Sequence, residues 1–166
     1  TADGRLTLKG GVREILATEM LEALGVNTSK TFSIIETGEE LWRGDEPSPT
    51  RSAVLTRLSH SHIRFGTFQR AASLGETENL ARLIRHCCET YYPDALDEDL
   101  AVMTPALLHR ITVETARMVA QWMATGFVHG VMNTDNMLLC AETIDYGPCA
   151  FMEEYTPGTG FSSIDQ

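Results

Sequence analysis

No apolar run in the 166-residue chain approaches the roughly 20 residues needed to cross a bilayer, and its start lacks the basic-then-apolar pattern of a secretory signal. A soluble chain is expected. Basic residues are scarce: 13 Lys and Arg stand against 23 Asp and Glu, giving a formal net charge of −10, and no Lys/Arg stripe is interleaved with aromatics. The summed field repels polyanions, so neither nucleic acid nor membrane is an expected partner. Cysteine is also sparse. Cys87, Cys88, Cys140 and Cys149 form no CxxC pair of the kind that holds zinc. They read as buried, reduced thiols of a cytosol-like compartment. Internal repeats and low-complexity tracts are lacking.

What is present is ordinary globular material, 43% apolar and 22% charged, enough for one sizeable core. The start at Thr1 and the polar end over residues 161–166 suggest a piece of a longer chain.

The pattern predicts α+β elements. Val12, Ile15, Leu16, Met20, Leu21 and Leu24 recur at helical spacing before Gly25, so residues 11–24 read as an amphipathic helix with a glycine cap. Residues 31–35 form a β-favouring run. It meets a turn at residues 37–39, and residues 41–43 are expected to pair back onto it. A Pro-rich loop over 44–50 leads to a strand at 52–58. Residues 76–92 read as a helix ended by Pro93. After an acidic, solvated connection over 94–99, a long helix starts with Pro105 in its first turn and runs to about Thr125. Beyond Gly126 the pattern breaks into short strands and loops.

The chemistry concentrates there. His129, Gly130, Val131, Met132, Asn133, Thr134, Asp135 and Asn136 are consecutive, and Asp145-Tyr146-Gly147 follows. An amide oxygen at Asn136 and a carboxylate at Asp145 are hard donors that suit Mg²⁺ while leaving positions for water and phosphate. Kinases have the same layout: a His, an Asn seven positions on, then an Asp-aromatic-Gly turn, with the Asn and second Asp on the metals. Where a kinase carries its base, two positions after the His, this chain has Val131. A valine accepts no proton, so phosphoryl transfer by that route is disfavoured, and Asp135 is the candidate substitute base. Read singly, each Asx residue fits a turn former; their joint spacing directly after a long helix favours the metal. His129 reads as structural. Glu14 sits where a kinase-like fold keeps the Glu that pairs with a phosphate-contacting Lys, although the helix dipole alone favours an acid there. Arg57 and Arg64 could grip phosphates as guanidinium forks, while each taken alone fits a surface salt bridge.

Several blocks together resemble the selenoprotein O family of protein adenylyltransferases. They are Asp3-Gly4-Arg5, Val12 to Leu16, Ala23 to Val26, Ser61 to Phe68, Phe127 to Met137 and Ile144 to Pro148. The resemblance implies a protein-kinase-like bilobal fold, present as an incomplete central piece. Residues 1–62 would be the remainder of the N-lobe, and 63–166 the first part of the C-lobe with the catalytic loop. It implies transfer of AMP from ATP to Ser, Thr or Tyr hydroxyls of proteins, with Mg²⁺, or Mn²⁺ in its place. By position, Asn136 and Asp145 would ligate the metal and Asp135 would accept the proton. Asp3, Gly4, Arg57, Arg64 and Asp145 would contact the nucleotide, and Glu14 would pair with the phosphate Lys. The family's glycine-rich segment and Lys, expected before Asp3, are not in this sequence, so the piece is expected to be inactive alone. The implied compartment is the bacterial cytoplasm, or the mitochondrion for a eukaryotic source. Two rival readings are a kinase-like phosphotransferase and a non-catalytic nucleotide-binding pseudokinase module.

Overall fold

The first helix is cut at both ends by local chemistry. In the computed structural model, which describes residues 4–44 and 46–156, Thr7 accepts the Gly10 N–H on its hydroxyl at 3.0 Å and caps α1 (Leu8–Ala23). At the other end Gly25 turns left-handed with φ +77°, its N–H reaches Glu22 O, and Val26 N–H reaches Leu21 O, each at 2.9 Å. That is a Schellman ending, sealed by contact of Val26 with Leu21 in the core. The expected glycine cap is present, and the helix starts three residues earlier than the apolar spacing indicates. The buried face differs from expectation. Gly11, Glu14, Ala17, Thr18 and Leu21 face inward, while Val12, Leu16, Met20 and Leu24 are exposed. A carboxylate with two inward partners, described below, sets the rotation of the helix in place of its larger apolar side chains.

Three antiparallel strands pack beside α1 in the order β1-β3-β2: β1 (Leu6–Thr7), β2 (Lys30–Leu41) and β3 (Thr50–Leu58). Residues 41–43 do not fold back onto residues 31–35. The strand runs on through Gly38 and absorbs the turn chemistry as an irregularity between Glu36 and Glu40, so that Leu41 pairs with Thr50 of β3.

The second half is helical. α2 (Phe65–Ser73), which the apolar pattern does not reveal, precedes α3 (Thr77–Tyr91), a 3₁₀ turn (Pro93–Ala95) and α4 (Leu100–Ala124). Asp99 caps α4 by accepting Ala101 N–H at 2.8 Å, which puts Pro105 inside the helix instead of in its first turn. The proline removes only the bond to the Ala101 carbonyl, and Ala101 is exposed to solvent. Two short strands, β4 (Phe127–Val128) and β5 (Ala150–Phe151), then pair antiparallel. The architecture is mixed α+β, and no described helix is long and apolar enough to cross a membrane.

Two apolar clusters hold the segment after α4. One joins Ala17, Leu21, Val26, Met118, Trp122, Phe127, Met137 and Tyr146, and the other joins Ile84, Cys87, Cys88, Tyr92, Met103, Leu107 and Leu139. Met137 and Leu139 pack into different clusters, so the loop before them is anchored from both sides.

Candidate functional site

The loop after β4 is organised by a buried histidine. His129 is 2% exposed, stacks on Trp122 with ring centroids 5.4 Å apart, and lies near Phe127 and Tyr146. Its Nδ1 accepts Val131 N–H at 3.2 Å, and its Nε2 lies 2.8 Å from Thr143 Oγ1. That hydroxyl donates to Asn136 O at 2.9 Å, so it must receive the Nε2 proton. Burial lowers the His129 pKa, opposed by the charge and backbone of Asp145, and a neutral Nε2–H ring fits both contacts. His129 is structural, as expected, and its reach extends to both sides of the site. Gly130 follows at φ +83°, with Pro148 packed so close that a Cβ would meet Pro148 Cγ at 3.3 Å.

The Asn136 side chain is oriented by its own amide. Nδ2 donates to Val131 O at 3.0 Å, and among the described residues no donor reaches Oδ1. Asp145 accepts Gly147 N–H on Oδ1 at 2.9 Å and keeps Oδ2 without a hydrogen bond among the described residues. Both residues thus carry an oxygen left over from the internal bonding. Thr143 binds the Asn136 backbone and its own carbonyl accepts Ser29 Oγ at 2.9 Å, so the approach to Asp145 is held as well. The donor set fits a hard divalent cation. No group of three or more His, Cys, Asp or Glu converges among the described residues, so such an ion would be completed by water or substrate oxygens, as Mg²⁺ commonly is. Asp135 is exposed; its backbone N–H and that of Asn136 both donate to Asn133 Oδ1, at 3.1 and 3.0 Å. The expected turn-forming role thus belongs to Asn133 and, through Oδ1, to Asp145.

Glu14 and Arg57 form the buried centre. Arg57 Nη2 donates to Glu14 Oε2 at 2.7 Å, each side chain being 9% exposed, and Glu14 Oε1 accepts Tyr146 N–H at 2.7 Å. Burial raises the Glu14 pKa, opposed by Arg57 and the Tyr146 amide. Arg57 Nη1 donates to Ser29 Oγ at 3.2 Å and Ile144 O at 3.3 Å, and its carbon lies 5.5 Å from the centre of the Tyr146 ring. A surface salt bridge is therefore the wrong reading of Arg57: the pair is internal and ties α1 to β3 and to the Asp145 turn. Arg64 is exposed, and its side chain makes no hydrogen bond or ion pair among the described residues. Gly4 is exposed at φ +71° with open space where a Cβ would stand, and Asp3 lies outside the described residues. Lys9 pairs with Glu46 at 3.6 Å.

Arg13 is the residue that the sequence reading missed. Its Nη2 donates to Gly147 O at 3.1 Å and Cys149 O at 3.0 Å, so two successive side chains of α1 hold the turn that carries Asp145. The adjacency of Arg13 to Glu14 is the only signal in the sequence.

The His-to-Asn loop is thus anchored in both apolar clusters, and the Asp-Tyr-Gly turn that follows it is bound to a helix glutamate. Compared with known families, residues 1–165 match the model of "Protein adenylyltransferase SelO". The chain is 54% identical over 154 residues to "Protein nucleotidyltransferase YdiU" of Synechocystis sp., covering 92% of this chain and 32% of the relative. It is 55% identical over 158 residues to the protein of that name from Gloeobacter violaceus, covering 94% and 32%. With the one from Syntrophotalea carbinolica it shares 42% over 166 residues, covering 100% and 33%. The chain belongs to the SelO family, and it spans about a third of the length of these curated relatives.

Proposed function

We propose that the intact protein is a Mg²⁺-dependent adenylyltransferase that moves AMP from ATP onto Ser, Thr or Tyr hydroxyls of other proteins. Family membership supports the reaction class, since the relatives bear the name protein nucleotidyltransferase. The observation that carries the reading is the pair of unshared oxygens, Asn136 Oδ1 and Asp145 Oδ2, on backbones held by one network through Thr143 and His129.

In this reading the hydroxyl oxygen attacks the α-phosphorus of ATP, the bond from that phosphorus to the bridging oxygen breaks, and pyrophosphate leaves. The hydroxyl proton passes to the Asp135 carboxylate. Val131 cannot take it, and Asp135 is the carboxylate adjacent to Asn136. Asn136 and Asp145 would hold a divalent cation, which would supply neutralisation of the charge on the leaving pyrophosphate. Arg64 is free to contact phosphate among the described residues. Arg57 has both terminal nitrogens engaged, so its contact with nucleotide would use Nε or exchange Glu14 for a phosphate oxygen. Gly4 and Asp3 would line the same nucleotide, and Glu14 would receive the phosphate lysine of the intact protein when Arg57 lets go.

The fold in this reading is kinase-like and bilobal. Residues 1–62 with α1 and the three strands make the nucleotide-side lobe, and residues 63–166 begin the helical lobe. The segregation of the sheet and α1 from α2, α3 and α4 along the chain supports it. The bacterial cytoplasm is the proposed compartment, supported by the bacterial relatives.

The test is to incubate the intact protein and Mg²⁺ with protein substrate and ATP labelled at the α- or γ-phosphate. Label entering protein only from the α position is the expected result. Label only from γ would make the protein a phosphotransferase, and label from neither would leave a binding module.

A further inference from the structure

We propose that Gly66 is a positioning residue for Asp135, an inference that rests on Asp135 being the proton acceptor. The stretch of chain before and into α2 lies along the loop that carries Asp135. Leu139 N–H donates to Ile63 O at 2.8 Å, Arg64 forms a bridge with Leu138, and Phe65 N–H donates to Met137 O at 3.1 Å. Gly66 N–H donates to Thr134 O at 2.8 Å, and Thr134 Oγ1 donates to Gln69 Oε1 at 2.6 Å. Helix α2 has no side-chain cap at Arg64. Its first two amides are satisfied instead by carbonyls of the Asp135 loop, which fixes the start of the helix against that loop.

Glycine is a poor choice for a helix position, about 1 kcal/mol worse than alanine. Gly66 has no left-handed backbone angle that would require it. What requires it is space. A Cβ built on Gly66 would lie closer than 3.0 Å to Asp135 Oδ1, a separation real Cβ atoms essentially never show, and 3.4 Å from both Asp135 Cγ and Thr134 O. The Asp135 carboxylate therefore rests over the bare Cα of the first turn of α2. Any side chain there displaces the carboxylate, because the side chain of an exposed aspartate swings more easily than the Thr134 backbone, which Gly66 itself holds.

The experiment compares Gly66→Ala, Asp135→Ala and the double variant in the intact protein, measuring kcat, KM for ATP, Mg²⁺-dependent ATP affinity and melting temperature. A carboxylate displaced by about 1 Å costs on the order of 100-fold in rate. Gly66→Ala should lower kcat at least tenfold by that measure, with ATP affinity within about twofold of wild type and the melting temperature unchanged or raised by the better helix former. The double variant should be no slower than Asp135→Ala, since the glycine acts only through that carboxylate. Three results overturn the inference: wild-type kcat in Gly66→Ala, a further rate loss in the Asp135→Ala background, or a melting temperature lowered by more than about 4 °C. Wild-type turnover in Asp135→Ala alone would remove the proposed proton acceptor and this inference with it.

Discussion

Removing Glu14 is the perturbation whose cost is most directly set by the structure. Its carboxylate meets two inward groups at 2.7 Å, the Arg57 guanidinium and the Tyr146 amide, and both side chains of the ion pair are 9% exposed. Glu14→Ala leaves a buried guanidinium facing Ser29 Oγ, Ile144 O and the Tyr146 ring with no anion, and a buried N–H with no acceptor. Breaking a buried pair from one side costs about 3–5 kcal/mol, which in a domain of this size lowers the melting temperature by about 6–20 °C. Arg57→Ala should cost less. A guanidinium cannot shed its proton, but a carboxyl stranded in a poorly solvated site can take one up, and it keeps the Tyr146 bond. The sign follows from the raised pKa of Glu14. A carboxyl whose folded-state pKa stands above its ordinary 4.5 contributes stability that is full below 4.5 and is lost as the pH rises through the folded value. Loss of Arg57 removes the largest opposing influence and raises that value further, so the deficit of Arg57→Ala relative to wild type should shrink between pH 8 and pH 5. Urea titration of wild type, both single variants and the double variant at these two pH values measures all of this. The double variant should cost at least about 1.5 kcal/mol less than the sum of the singles, the coupling expected of groups in direct contact. Additive single costs, a Glu14→Ala cost below about 1 kcal/mol, or Arg57→Ala as the costlier change would each refute the buried pair.

Two further outcomes are expected. Asp145→Ala should abolish Mg²⁺-dependent ATP binding, read by titration calorimetry of the intact protein, with little change in melting temperature because the side chain is exposed; wild-type affinity would count against the metal site. Burial pushes the thiols of Cys87 and Cys140 up to about 12 and about 11, so neither should be alkylated by iodoacetamide in the folded protein at pH 8. Unfolded thiols ionise near the ordinary 9.0, so these two groups make stability fall as pH rises from that value toward their folded ones, and mass spectrometry after alkylation with and without urea separates the folded from the unfolded response.

Much of the site was legible because its signals are local. The spacing of His129, Asn136 and Asp145, the Val131 departure and the structural role of His129 follow from consecutive residues, and so does the glycine that ends α1. What was illegible depends on partners far along the chain. The rotation of α1 follows a carboxylate whose partners lie 43 and 132 residues away, and apolar counting gives no warning that Leu16 would be exposed and Glu14 buried. Helix α2 has no buried residue at all, so no periodic core stripe announced it; the loop carbonyls that bind its first amides define its start. Pro105 was misleading for a simpler reason. A proline tolerated at a first turn is also tolerated further inside when the carbonyl it orphans faces water.

The same distances imply how the parts of the site depend on one another. Helix α1 reaches the Asp145 turn through Tyr146 N–H, bound by Glu14, and through the carbonyls of Gly147 and Cys149, bound by Arg13. All three are backbone groups, so α1 sets the position of the turn without dictating its side chains, and Asp145 keeps an oxygen free. Glu14 binds that turn with one oxygen and Arg57 with the other. A nucleotide phosphate drawing Arg57 away would therefore leave Glu14 desolvated and held only by the turn, its charge kept only if another cation or a proton answers it. A second cation at that carboxylate is then favoured by the charge it neutralises in a poorly solvated place. In the function proposed above, capture of phosphate by Arg57 and arrival of a lysine at Glu14 would be one exchange, with the Asp145 turn held by the Tyr146 bond.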